Sequence, residues 1–179
     1  MTQIGTVYGG ALYQLSAEEN VCDEILAQLQ VLDESFRENR EFLTLMDSPA
    51  LPKAERCDIL QQSFGGKVHP YVLNFLKILT EEGHIRHFSA CCAAYRSQYN
   101  EDHNILPVTA VSAVALSDGQ MQRLTEKLGN MTGATIQLRN LVDPECLGGI
   151  RLDLEGKRLD DTVAHRLQEI RELLQKTVL

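Results

Sequence analysis

The spacing of apolar residues changes near Asn104, and this change divides the chain into two parts. Before Asn104, apolar residues recur at steps of three and four, which is the period of a helix face. After it, residues 108–114 are rich in β-branched and small side chains, which is typical of a strand. We therefore predict a mainly helical chain, with a six-helix bundle over residues 1–104 and a small α/β domain over residues 105–179.

Six helices are predicted in the first part, where turn and capping residues interrupt the apolar pattern. The first covers Val7–Leu15, although Gly9 and Gly10 should each weaken a helix by about 1 kcal/mol. Ser16 and Glu19 match a capping box, which would start the second helix. The other four are predicted to start near Asn39, Pro52, His69 and Arg86. Several helices joined by short loops are the pattern of a compact bundle.

The second part is predicted to run strand, helix, strand, strand, helix. Ser117 and Gln120 form a capping box for a helix that ends at Gly129. Two strands follow, at Thr135–Val142 and at residues 150–154. Asn140 falls on the apolar face of the first of these strands, where an apolar residue would be expected. The last helix is predicted to carry Val163, Leu167, Ile170 and Leu174 on one face.

The chain is acidic, with a formal net charge of −8 over 179 residues. Nucleic acid and anionic membrane surfaces are poor matches for such a chain, so we expect partners with basic or apolar docking surfaces. No stretch approaches the ~18 consecutive apolar residues needed to span a bilayer. The first ten residues resemble neither a secretory signal nor a transit peptide, so we expect the protein to stay where it is made.

The five cysteines are odd in number and show no C-x-x-C spacing, so we expect free thiols that pack as small apolar side chains. His84, His87 and Cys91 could present three metal ligands on one helix face, but their spacing matches no zinc motif. A solvated histidine at a helix junction is the simpler interpretation. A thiol- or metal-dependent enzyme is therefore the weaker hypothesis, and no metal site or cofactor is predicted.

Two other pairs of residues could carry chemistry. Gly148 and Gly149 follow an Asp-Pro turn and could suggest a phosphate cradle. They match neither nucleotide-binding glycine pattern and a strand follows them, which favours a simple turn. Asp160 and Asp161 could be paired carboxylates, but at a helix start they favour capping. The sequence therefore predicts no catalytic residue.

The stretch from Val142 to Leu174 combines a turn, an alternating strand, a second turn and an amphipathic helix. Its segments are Val142-Asp143-Pro144, Leu147-Gly148-Gly149, Ile150 to Leu154, Asp160-Asp161-Thr162-Val163 and Arg166-Leu167. In this order they resemble the C-terminal signature of the delta subunit family of F-type ATP synthases, called the oligomycin-sensitivity-conferring protein in mitochondria. Asp161 and Thr162 stand where that family usually has glycine and serine. The helical part resembles the family at Tyr8, Ala11-Leu12, the Ser48-Pro49 to Pro52 break, Phe75-Leu76 and Leu79.

The resemblance implies a non-catalytic stator connector of the proton-translocating ATP synthase. The helical domain would sit on the catalytic head and bind the N-terminal helix of an alpha subunit in a groove between its first and fifth helices. The residues expected to contribute to that groove are Tyr8, Ala11, Leu12, Leu15, Phe75, Leu76 and Leu79.

The α/β domain would hold the C-terminal end of the peripheral-stalk b subunits. The stalk-facing or structural residues of its signature are Asp143, Pro144, Gly148, Gly149, Asp160, Arg166 and Leu167. Arg166, Arg171 and Lys176 on the last helix form either a solvated charged face or rim contacts to this partner.

The same resemblance implies a location on the cytoplasmic side of a bacterial inner membrane, with membrane contact only through the complex. A stand-alone helical adaptor or regulator, unconnected with ATP synthase, is the alternative hypothesis.

Overall fold

The computed structural model describes residues 2–48, 50–146, 149–154 and 157–160. The chain is mainly helical, with one small sheet, and divides into two compact units between Tyr99 and Asn100. The helices that precede the sheet are α1 (Gln3–Glu18), α2 (Cys22–Glu38), α3 (Arg40–Met46), α4 (Lys53–Phe64), α5 (Pro70–Glu81), a short 3₁₀ helix (Ile85–His87) and α6 (Phe88–Asp102).

The first helix is longer than the predicted Val7–Leu15, and the predicted capping role of Ser16 is wrong. Helix α1 begins after Thr2, whose hydroxyl oxygen accepts a hydrogen bond from the Gly5 amide at 3.3 Å. Ser16 lies in the last turn of α1 and is buried. Its hydroxyl donates to the Tyr13 carbonyl at 2.8 Å and lies 2.7 Å from the Tyr95 hydroxyl. Helix α2 begins only at Cys22, after Val21, so Ser16 lies too far along the chain to cap it.

The starts of α3, α4 and α5 follow the sequence prediction within one residue. α6 begins at Phe88, two residues after the predicted Arg86, and α2 begins only at Cys22. His69 precedes α5, where its Nδ1 accepts from the Tyr71 amide at 3.3 Å, and Pro70 occupies the first helical position. Pro52 is the residue before α4 rather than its first residue. Asn39 precedes α3 as predicted, but its side chain donates back to the Ser35 carbonyl at 2.9 Å and makes no cap bond to α3.

One hydrophobic core joins the helices of the first unit. Phe36 is at its centre, with ring centroids 5.0 Å from Phe88, 5.5 Å from Phe42 and 6.0 Å from Phe64. The fully buried side chains around these rings include Ile25, Leu29, Met46, Leu60, Val72, Leu76, Leu79, Ile85 and Tyr95. Burial of each large apolar side chain contributes about 1.5–3 kcal/mol, so this core is the main source of stability for the unit.

Two glycines in α1 lie directly against α6. A methyl group added at Gly9 would overlap the carbonyl oxygen of Cys91, and one added at Gly5 would lie 2.9 Å from the Ala90 backbone. The glycines that weaken α1 as an isolated helix therefore allow it to approach α6 closely.

The second unit contains a four-stranded sheet. Its elements are β1 (Ile105–Ser112), α7 (Asp118–Thr132), β2 (Thr135–Val142), a 3₁₀ turn (Pro144–Cys146), β3 (Ile150–Leu154) and β4 (Lys157–Asp160). The strand order is β2-β1-β3-β4. β1 is parallel to β2 and antiparallel to β3, and β3 is antiparallel to β4. The strand, helix, strand, strand order is confirmed, while the predicted last helix lies outside the described residues.

Three details of the second unit differ from the prediction. Strand β4 was not predicted, and it pairs with β3 so that Leu152 is opposite Leu159. β1 begins at Ile105, so Pro107 lies inside the strand. At Pro107 the strand pairs with β2 only, because the pairing of β1 with β3 starts at Val108, and a proline is tolerated at such a one-sided position. Helix α7 continues past Gly129 to Thr132, and Gly133 then adopts a left-handed φ of 70°. The capping box of Ser117 and Gln120 is confirmed.

Asn140 satisfies three polar groups at the carboxyl end of β1 and β2. Its side-chain oxygen accepts from the Leu116 amide, and its nitrogen donates to the Ala110 carbonyl and the Ser112 hydroxyl, each at 2.9 Å. The polar residue on the apolar face of β2 therefore holds the chain between β1 and α7 against the sheet.

Candidate protein-docking site

Helix α1 carries no charged side chain from Gln3 to Ala17. One side of the helix is in the core through Leu12, Tyr13 and the hydroxyl of Ser16. An ordinary surface helix presents charged and polar residues on its opposite side. The outer side of α1 lacks charges, which distinguishes it from a solvated face.

Three exposed apolar residues, which we call the α1 stripe, lie on that outer side: Val7, Ala11 and Leu15. They are four residues apart, so they lie on one helix face. The exposed fraction is 61% for Val7 and 40% for Leu15. Exposed apolar side chains in a row, without charges among them, are typical of a surface that another polypeptide covers.

Tyr8 lies beside the α1 stripe and is half-buried. Its ring packs edge-on against His84, with 5.8 Å between ring centroids. His84 follows α5, so this contact connects α1 to the end of α5. On α5 the exposed large apolar side chain is Ile78, with 48% of its surface accessible.

The predicted groove residues fall into two groups. Tyr8, Ala11 and Leu15 keep accessible surface, and they lie together on α1. The other four, Leu12, Phe75, Leu76 and Leu79, are buried in the core. Their side chains face the neighbouring helices, so they support the surface and have almost no area left for a partner.

Sequence reasoning omitted Val7 and Ile78 from the candidate site. The sequence predicts Val7 only as the first residue of a helix, and Ile78 is not among the predicted groove residues. The spacing of Val7, Ala11 and Leu15 in a charge-free segment was the signal that could have identified the stripe.

Three signature residues, Asp143, Pro144 and Gly149, lie in the connection between β2 and β3. The Asp143 amide donates to the Ser112 carbonyl at 2.9 Å, and the Cys146 amide donates to the Asp143 carbonyl at 3.1 Å. Pro144 begins the 3₁₀ turn, and Gly149 has a φ of 84° that favours glycine. Asp160 ends β4, where its backbone is opposite Arg151. Gly148, Arg166 and Leu167 lie outside the described residues.

The histidines and cysteine that could have suggested metal or thiol chemistry are not gathered into a site. The His84 and His87 rings are 6.1 Å apart, and Cys91 is buried in α6. Among the described residues, no group of three or more side chains could hold a metal ion. Burial raises the pKa of the Cys91 thiol to about 11, so the thiol stays protonated and unreactive at neutral pH.

Across the described ranges, every helix is too short or too polar to span a bilayer.

The chain is similar to known proteins in sequence and, separately, in fold. A family model described as "ATP synthase delta (OSCP) subunit" matches residues 4–174. The ATP synthase subunit delta of Clostridioides difficile (strain 630) is 29% identical over 176 residues, which cover 98% of this chain and 97% of the relative. That of Desulfitobacterium hafniense (strain Y51) is 32% identical over 167 residues, which cover 93% of each protein.

Among solved structures, a chain of the Toxoplasma gondii mitochondrial ATP synthase hexamer has a TM-score of 0.76 with this chain. The two chains are 20% identical, and the match covers 97% of this chain and 98% of that chain. At 20% identity, this match shows that the two chains share a fold.

Proposed function

This chain belongs to the ATP synthase delta (OSCP) subunit family, and on that basis we propose that it connects the catalytic head of an F-type ATP synthase to the peripheral stalk. Subunits of this family are non-catalytic parts of the complex. When proton flow turns the rotor, the head turns with it unless it is tethered. A tether needs tight static contacts with two partners and no bond chemistry of its own.

The helical unit is proposed to bind the N-terminal helix of an alpha subunit. The α1 stripe carries this proposal, because it is an exposed apolar row on a helix without charges. An amphipathic helix that lays its apolar face on such a row is a recurrent mode of peptide recognition. Of the groove residues predicted from the sequence, Tyr8, Ala11 and Leu15 are the proposed contacts. Val7 is added to them. Leu12, Phe75, Leu76 and Leu79 would hold the surface in shape from below.

The α/β domain, residues 105–179, is proposed to hold the C-terminal end of the peripheral-stalk b subunits. In this proposal the turn at Asp143 and Pro144 is held to the end of β1 by the bond from the Asp143 amide to the Ser112 carbonyl, so that the domain presents a rigid surface to the stalk. The complex would place the chain on the cytoplasmic side of a bacterial inner membrane, touching the membrane only through its partners.

The test of the head contact is a calorimetric titration of the full chain with a synthetic peptide of the alpha-subunit N-terminus. We expect a dissociation constant in the micromolar range or tighter. Val7→Asp should weaken binding by about tenfold or more, because it places a charge within an apolar contact.

Val31→Asp is the matched control for this titration. Val31 lies on α2 and is 63% exposed, against 61% for Val7, so the two substitutions make the same chemical change at equal exposure. The control should bind the peptide as the natural chain does. Absence of binding by the natural chain, or equal loss in both variants, would contradict the proposed docking surface.

A further inference from the structure

Strand β2 forms an edge of the sheet in the second unit. It pairs with β1 along all eight of its residues, and the strand order places it outermost. The Thr135 amide donates to Asn104, and the Asp143 amide donates to Ser112, so odd-numbered residues direct their amides to β1. The even-numbered residues of β2 therefore direct their backbone N–H and C=O groups away from the sheet. Within the described ranges no strand pairs with them.

This edge lacks the features that usually keep an edge strand from pairing. β2 contains no proline, no glycine and no bulge in its pairing with β1. Its carboxyl end is apolar, with Leu141 56% exposed and Val142 47% exposed. Long edge strands with apolar side chains pair readily with another chain unless something covers them.

The two faces of β2 specify what an added strand would need. Ile136 and Leu138 are half-buried, and Ile136 lies near Gly129 of α7, so this face can pack against further apolar side chains. Thr135, Gln137, Arg139 and Leu141 are exposed on the other face. Arg139 is the single charged residue of β2 and lies at its middle. An added strand with an acidic residue directly opposite Arg139 would form a pair of opposite charges with it.

A second copy of this chain fits the edge less well than a different polypeptide. Two β2 strands paired along their full length across a two-fold axis would bring their Arg139 side chains opposite or diagonal to each other. Like charges at these positions destabilise a strand pair. The charge of the edge therefore favours a partner segment with one acidic residue opposite Arg139 over self-association.

We propose that β2 is a docking edge for an extended segment of a partner polypeptide, with apolar residues on its α7 side and an acidic residue opposite Arg139. The segment would add a fifth strand to the sheet, with main-chain hydrogen bonds giving affinity and Arg139 setting the register. This inference goes beyond the proposed stator role and does not depend on it.

The experiment uses the full chain and a synthetic eight-residue peptide that alternates valine and threonine, with one central threonine replaced by glutamate. We expect binding with a dissociation constant tighter than about 1 mM. On binding, amide hydrogen exchange should slow at Ile136, Leu138 and Asn140. Exchange at Gln137 and Arg139 should change little, because their amides already bond to β1.

Three comparisons separate an added strand from other modes of binding. A peptide N-methylated at every residue has no amide N–H on either edge, so it cannot form the outer ladder and should not bind. Arg139→Glu should weaken binding of the glutamate peptide by about fivefold or more, because two like charges would then face each other. The same variant should bind better a peptide in which lysine replaces the glutamate. Arg123→Glu, an exposed arginine on α7, should leave binding within twofold.

Several results would overturn the proposal. These are binding too weak to measure at 1 mM peptide, equal binding of the N-methylated peptide, equal effects of the two arginine variants, or slowed exchange away from β2. A dimer of the chain with slowed exchange at the same three amides, without peptide, would assign the edge to a second copy instead.

Discussion

At the scale of single residues, Gly9 shows how one side chain's absence sets the distance between two helices. Gly9→Ala should lower the free energy of unfolding by about 1–3 kcal/mol, because the added methyl group meets the Cys91 carbonyl oxygen. Part of this loss is offset by the better helix propensity of alanine, worth about 1 kcal/mol. Urea unfolding of the full chain, followed by circular dichroism, measures the change.

Gly119→Ala is the control for that prediction. Gly119 lies in the first turn of α7, and a methyl group added there meets no atom within 4 Å. This variant should keep its stability or gain up to about 1 kcal/mol. If Gly9→Ala proves as stable as Gly119→Ala, the close approach of α1 to α6 is not real.

The sequence could not predict the role of a residue when that role depends on a partner far away in the chain. Ser16 matches a capping box locally, but Tyr95, 79 positions away, binds its hydroxyl instead. Leu12 and Leu15 look alike in the sequence, yet Leu12 is in the core and Leu15 is on the surface. The difference is set by which side of α1 meets α6, and the spacing of apolar residues alone does not determine this.

At the scale of elements, the Asn140 side chain links β2 to β1 and to the segment that precedes α7. Asn140→Leu, which matches the apolar pattern of β2, should destabilise the second unit by about 1–3 kcal/mol. The leucine would leave the Leu116 amide, the Ala110 carbonyl and the Ser112 hydroxyl without this partner. The midpoint of urea unfolding would report the loss.

Gln137→Leu serves as the reference, since Gln137 is exposed on the other face of the same strand. Its effect should stay within about 0.5 kcal/mol. A gain in stability from Asn140→Leu would mean that the polar residue does not hold β1, β2 and the start of α7 together.

Strong local signals made most elements predictable. Pro70 fixed the start of α5, the box of Ser117 and Gln120 fixed the start of α7, and alternation fixed β3. β4 was missed because its four residues are too few to show a period, and its existence depends on pairing with β3. Residue patterns therefore do not predict short elements that form only by pairing with a neighbouring strand.

At the scale of the whole molecule, the chain is a non-catalytic member of its family that we propose works by contact alone. Its two units carry different candidate surfaces, the α1 stripe in the first and the sheet with its β2–β3 turn in the second. A connector needs both partners bound at once, because force passes from the head to the stalk only through an unbroken series of contacts.

The most direct test is therefore a titration of the full chain, already saturated with the alpha-subunit N-terminal peptide, with a soluble C-terminal fragment of the b subunits. The account predicts a ternary complex in which the b fragment binds as tightly as it does to the chain alone, and the peptide stays bound. Release of the peptide by the b fragment, or failure of the b fragment to bind, would contradict the proposed role as connector.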